Sequence, residues 1–209
     1  MIYNKIDQLQ IDPNNPEIQN WISSSRLEKT QFLNSFGALY LTESKRILAL
    51  MSDPKWSQYI ELTENEENAI STLVPFTKLV EDYLSESVNN LNILSLEKNR
   101  FVLKADSLTR GSGVYIGDKT SLSDWKQKIQ ELRSFGGIAQ MKCPLPTRQS
   151  QIITEKGELE EIEEFFGLDL FMFGNKFAGV VSRCHTNQVF NVGNGGKEVP
   201  VLILEDGND

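Results

Sequence analysis

The stretch Phe101-Val-Leu-Lys104-Ala-Asp-Ser-Leu-Thr-Arg110-Gly111-Ser112-Gly113-Val-Tyr-Ile-Gly117 reads as an apolar strand ending in a lysine, a polar turn with two glycines, and a second apolar strand. Aromatic and β-branched residues favour the strands, while Gly111 and Gly113 open backbone angles closed to other residues. Such a hairpin can fold over a phosphate chain. Backbone N–H groups at the glycines would point at the anions, and Lys104 would add a point charge from the neighbouring strand. It can also be an ordinary hairpin with a polar tip and a solvated lysine. Taken alone, a short glycine motif favours this plainer use.

Downstream the pattern alternates. Ser121-x-x-Asp124 opens a helix with Trp125, Ile129 and Leu132 on one face, stopped by Gly136-Gly137. Ile138 to Met141 is a buried strand running into Cys143-Pro144-Leu145-Pro146, and Gln151 to Ile153 is another. Glu158 to Phe166 fits either a helix or a glutamate-rich edge strand. Leu168 to Phe173, Gly174-Asn175 and Phe177 to Arg183 make a hairpin. Phe190 to Gly196 reads as a loop and Val199 to Leu204 as a last strand.

Upstream the period is helical. Ile18, Trp21 and Ile22 share a face, as do Leu41, Ile47, Leu48 and Met51 before Pro54. Thr63 and Glu66 form a capping box for a helix with Ile70, Leu73 and Val74 inward, and a further helix is predicted from Thr77. The expected class is α+β: a helical region over 1–96, then an antiparallel sheet with helices over 97–209. This layout speaks against a Rossmann domain.

At 209 residues the chain can bury a real core in one domain or two. A net charge of −8 argues against a general nucleic-acid binder. No apolar run reaches the length of a membrane span, and Met1 to Gln8 lacks the layout of a secretion signal. Cys143 and Cys184 are too few for a disulfide framework and have no partners at zinc spacing. They suit a reducing cytoplasm, with a single bridge as the alternative.

In order and spacing, four segments resemble the ATP-grasp superfamily, in particular the C-terminal part of its circularly permuted, glutathionylspermidine-synthase-like members. They are Phe101 to Gly113; Ile138-Ala-Gln140-Met-Lys-Cys-Pro144-Leu-Pro146; Asp169-Leu-Phe-Met-Phe through Arg183 to Asn191, Gly195-Gly196 and Val199-Pro200; and Leu33-Asn34 through Lys45 to Asp53, continued by Thr63-Glu64 and Val74 to Thr77. The resemblance implies an ATP-binding portion of a carboxylate–amine ligase acting through an acyl-phosphate, with ATP and Mg²⁺ as cofactors. It puts Lys104, Arg110, Gly111, Ser112 and Gly113 on the phosphates, and Gln140, Met141 and Lys142 at the adenine edge. Arg183, Asn191, Gly195 and Gly196 would face the transferred phosphoryl group or acyl substrate, and Asn34 would contribute an oxygen to Mg²⁺. The partners implied are small-molecule or peptide carboxylates and amines, with no nucleic acid or membrane.

The chain departs from the pattern at three places. Thr109-Arg110 stands where relatives usually carry an extra glycine, which gives Arg110 a place on phosphate. Met141 replaces a frequent acid, leaving a backbone contact for adenine. Phe32 occupies the position of a frequent glutamate, and the family's magnesium carboxylates lie mainly before Asn34. The resemblance therefore implies a missing N-terminal portion, which opens two alternatives: a non-catalytic nucleotide- or partner-binding module, or half of a split ligase completed by a second polypeptide.

Each site residue also has a plainer reading. Arg183 can pair with a surface acid such as Glu198, and Asp169 can cap the hairpin or orient Arg183. Asn191 to Gly196 can be a simple turn or an anion-binding nest. Asn34 can be an N-cap. His185, the single histidine, has no serine or cysteine constellation around it, and Glu158 to Glu164 is a solvated face.

Overall fold

The computed structural model describes residues 2–3, 12, 14–26, 31–33, 35–85, 90–106 and 108–203. Two compact units form, Met1–Lys142 and Cys143–Asp209.

The first unit opens with β1 (Ile2–Tyr3), α1 (Pro16–Arg26) and β2 (Phe32–Leu33), β1 and β2 pairing in parallel. Next come α2 (Phe36–Thr42), α3 (Arg46–Ser52), α4 (Pro54–Ser57) and α5 (Glu64–Leu73). The Thr63–Glu66 capping box forms as the sequence predicts, but Leu73 turns outward and is 78% exposed. β3 (Thr77–Leu79), α6 (Val80–Ser85), α7 (Asn90–Leu96), β4 (Phe101–Ala105), β5 (Val114–Ile116), α8 (Leu122–Phe135) and β6 (Gly137–Met141) complete the unit. The class is α+β: a helix-rich N-terminal region followed by antiparallel sheets interleaved with helices.

The helix predicted from Thr77 starts only at Val80. Thr77 to Leu79 instead pair with Gln140 to Ile138 of β6, which buries Thr77 and Leu79. Ladder bonds and burial outweigh the helical spacing of the apolar residues. The sheet order is β3-β6-β4-β5, antiparallel throughout.

One face of this sheet builds the main core, with Phe101, Leu103 and Ala139 against Val80, Leu94, Trp125, Ile129 and Leu132. Ser121 caps α8 as predicted, and Trp125 Nε1 donates to the Leu94 carbonyl at 2.8 Å. The pleat places Lys104, Gln140 and Thr77 on the other face. There Leu79 and Ile138 pack on Ala49 of α3.

The second unit is a four-stranded antiparallel sheet ordered β10-β9-β8-β7: β7 (Thr147–Ile153), β8 (Leu159–Phe173), β9 (Lys176–His185) and β10 (Lys197–Val199). The ambiguous glutamate-rich stretch is strand. Gly174 (φ 52°) and Asn175 (φ 62°) turn the β8–β9 hairpin, as the primed turns of tight hairpins require. The last strand lies earlier than predicted, because the partners of β9 are Lys197 to Val199; Val201 to Ile203 belong to no helix or strand, and Leu204 lies outside the described residues. Among the described residues no helix is long and apolar enough to cross a membrane.

Candidate functional site

Lys104 lies one residue before the end of β4, opposite Ile138 and diagonal to Gln140. Its ammonium is half-buried and donates to Gln140 Oε1 at 2.6 Å. Gln140 is 7% exposed, and its amide nitrogen donates to Thr77 Oγ1 at 2.8 Å. Thr77 Oγ1 in turn donates to the Pro75 carbonyl at 2.7 Å, and the Thr77 backbone N–H donates to Ser52 Oγ at 2.9 Å. A line of polar contacts thus crosses from the β4 lysine to the end of α3.

The turn above Lys104 has left-handed backbone at Arg110 (φ 57°), Gly111 (φ 79°) and Gly113 (φ 68°). Gly113 is doubly required, since a Cβ there would lie 2.6 Å from Leu108 Cδ1 and 2.8 Å from Ala105 Cβ. The turn closes through Ala105 N–H to the Gly113 carbonyl (2.8 Å) and Ser112 N–H to the Thr109 carbonyl (3.0 Å). Arg110 and Ser112 are exposed at its tip.

The base of the turn is tied to α3. Lys45 Nζ donates to the carbonyls of Asp106 (3.0 Å) and Leu108 (2.5 Å). The Asp106 carboxylate accepts from Ser44 Oγ (2.8 Å) and from the Arg46 N–H (3.2 Å). Burial pushes the Lys45 ammonium below its usual range, against the raising pull of Asp106 and Glu43. Two cavities of this unit border these contacts: one of about 350 Å³ lined by Ser44, Arg46, Ile47 and Trp56, and one of about 680 Å³ lined by Ser52, Ile70 and Phe76.

Of the adenine-edge residues, Gln140 is the partner of Lys104. The N–H groups of Met141 and Lys142 donate to the carbonyls of Phe76 and Arg100, both at 2.8 Å. Those two donors belong to the sheet. Lys142 Nζ holds Asp118 at 2.6 Å and keeps its carboxyl below the usual range. Asn34, the predicted magnesium ligand, lies outside the described residues.

In the second unit Arg183 sits between two acids. Its guanidinium is 3.1 Å from Asp169 Oδ2, as a charge contact without hydrogen-bond alignment, and 3.8 Å from Glu198 Oε1. Asn191 Oδ1 accepts from the Gly193 N–H (2.9 Å), and the Asn194 and Gly196 N–H groups donate to the Asn191 carbonyl (2.9 and 3.0 Å). Gly195 adopts φ 88° and donates to the Val192 carbonyl at 3.1 Å. These amides face the loop's own oxygens, the arrangement of a simple turn.

A buried cluster escaped the sequence reading. Glu164 is 2% exposed, and its carboxylate accepts from Lys197 Nζ at 2.9 Å and lies 3.4 Å from the Arg148 guanidinium. Burial alone would push this carboxyl up. The hydrogen bond from Lys197, with those from Ser150 and Cys184, outweighs burial and brings it down to about 2. Strand alternation in Ile162-x-Glu164-x-Phe166 was the available signal, hidden by the run of exposed glutamates around it. Thr77 escaped for a related reason, since its strand was read as helix.

Among the described residues no three histidine, cysteine or acidic side chains converge where a metal ion could sit. No protein-family model matches this sequence, and no curated protein matches it.

Proposed function

We propose that the first unit binds the phosphates of ATP, supplied as its Mg²⁺ complex, and that the chain is the ATP-binding portion of a carboxylate–amine ligase. The observation that carries the reading is the setting of Lys104. Its ammonium is half-buried and held by a neutral amide below a turn with three left-handed residues. The Gln140 amide is a neutral acceptor, so it orients the lysine and adds no negative charge of its own, which suits an anionic ligand.

In the ligase reading a carboxylate oxygen attacks the γ-phosphorus and ADP leaves; an amine then attacks the acyl carbon and expels phosphate. The contribution of this chain is electrostatic and positional: Lys104, Arg110 and the turn backbone offset charge as it moves between oxygens. Among the described residues no group of three histidine, cysteine or acidic side chains stands where a metal ion could be held. Unpaired thiols at Cys143 and Cys184 accord with the cytoplasmic setting we infer.

Calorimetric titration with ATP and Mg²⁺ tests the binding claim. Wild type should bind and Lys104→Ala should bind at least about tenfold more weakly, as loss of a charged contact demands. Equal affinities, or no binding by either, would overturn it.

Binding without turnover is the second reading. It is favoured by the acids already beside Arg183 and by the inward-facing amides of Asn191 to Gly196. Phosphate release with mixed carboxylates and amines separates the two, since a binding module gives none while still taking ATP.

A further inference from the structure

The hydrogen bonds around Gln140 run in one direction. Thr77 Oγ1 lies 2.7 Å from the Pro75 carbonyl oxygen, and a carbonyl only accepts, so the single hydroxyl proton of Thr77 points there. Towards Gln140 the same oxygen therefore offers a lone pair, which the amide nitrogen fills at 2.8 Å. The carbonyl oxygen of that amide is then left on the side of Lys104, whose ammonium it accepts at 2.6 Å. Flipping the amide would set its N–H groups against the ammonium and its oxygen against a lone pair. Neither contact could hold.

We propose that Thr77 is a positioning residue for Lys104: it fixes which way the Gln140 amide faces, and through that amide holds the ammonium on the face of the sheet beside β6. Thr77 is fully buried and Gln140 nearly so, which sets their bond apart from bulk water. Ser52 Oγ accepts the Thr77 N–H at 2.9 Å, so the hydroxyl is presented from a fixed backbone. The arrangement also explains why an amide stands at 140. A glutamate there would hold the lysine too, but would add a negative charge where an anionic ligand is to bind.

The geometry stands by itself, while its use for nucleotide rests on the reading of Lys104 given above. The test therefore has a readout free of nucleotide: the rate at which acetic anhydride labels Lys104, followed by mass spectrometry on the folded protein. Thr77→Val keeps the shape and removes the hydroxyl; it should raise the labelling rate about threefold or more, the scale of one lost hydrogen bond between neutral groups. Thr77→Ser restores the hydroxyl and should return the rate to that of wild type. Gln140→Met removes both bonds from the other end and should match Thr77→Val, which keeps the test decisive if the valine variant does not fold. Wild-type labelling in Gln140→Met, or in a folded Thr77→Val, overturns the proposal. Titration with ATP and Mg²⁺ then adds a second reading. Weaker binding by Thr77→Val with rescue by Thr77→Ser supports it further, and unchanged binding by Thr77→Val alongside a loss in Lys104→Ala counts against it. Should labelling shift as expected while wild type binds no ATP, the positioning role holds and the nucleotide reading falls.

Discussion

Lys45 donates to the backbone carbonyl of Asp106 at 3.0 Å, while the Asp106 carboxylate accepts the N–H of the next residue, Arg46, at 3.2 Å. Helix α3 and the foot of the β4–β5 turn are thereby locked to each other from both sides. Lys45→Met should destabilise the protein by about 2 kcal/mol, the range for a hydrogen-bonded charge, and Asp106→Ala by about 1 kcal/mol as a lost helix cap. Urea denaturation checks both, and values within error of wild type would show that the junction contributes nothing.

Gly117 tests the backbone beneath that turn. A Cβ at this position would fall 1.6 Å from the Lys98 carbonyl oxygen, whose neighbourhood is already fixed by Lys98 Nζ donating to the carbonyls of Gly117 (2.5 Å) and Thr120 (2.9 Å). Gly117→Ala should cost more than about 3 kcal/mol, because backbone and not a side chain must move. A melting temperature close to wild type would contradict this packing.

Acid should weaken the second unit through Glu164. Its carboxyl lies at about 2 in the folded chain, below its unfolded value, so the stability it confers is complete above the unfolded pKa of about 4.3 and lost as pH falls towards 2. Glu164→Gln should be less stable than wild type at pH 7 and show a flatter decline between pH 4.5 and 2, both read from melting temperatures. Parallel curves for the two proteins would show that the cluster is not the acid-sensitive element.

Asn191 separates the turn from the anion nest. With its oxygen taken up by the Gly193 N–H, Asn191→Ala should cost about 1 kcal/mol of stability and leave ATP affinity within twofold of wild type. A tenfold loss of affinity at unchanged stability would return the loop to the binding site.

Much of this fold was legible in local chemistry. The capping box at Thr63, the N-cap at Ser121, the stripe of Trp125, Ile129 and Leu132, and the Gly174-Asn175 turn each follow from a few neighbouring residues. What stayed hidden depended on partners far along the chain. Thr77 is strand because Gln140, 63 residues away, offers a ladder and an amide. Glu164 is buried with Arg148 reaching it from the neighbouring strand β7 and Lys197 from β10, two strands away. The same holds for the site: the Lys104 turn was readable as a hairpin, but the neutral grip of Gln140 was not.

Amide hydrogen exchange over residues 104–113, with and without ATP and Mg²⁺, tests the phosphate-cradle claim most directly. Exchange in this segment should slow when nucleotide is added, and Lys104→Ala should abolish the slowing. Identical exchange in wild type with and without saturating ATP would contradict that claim.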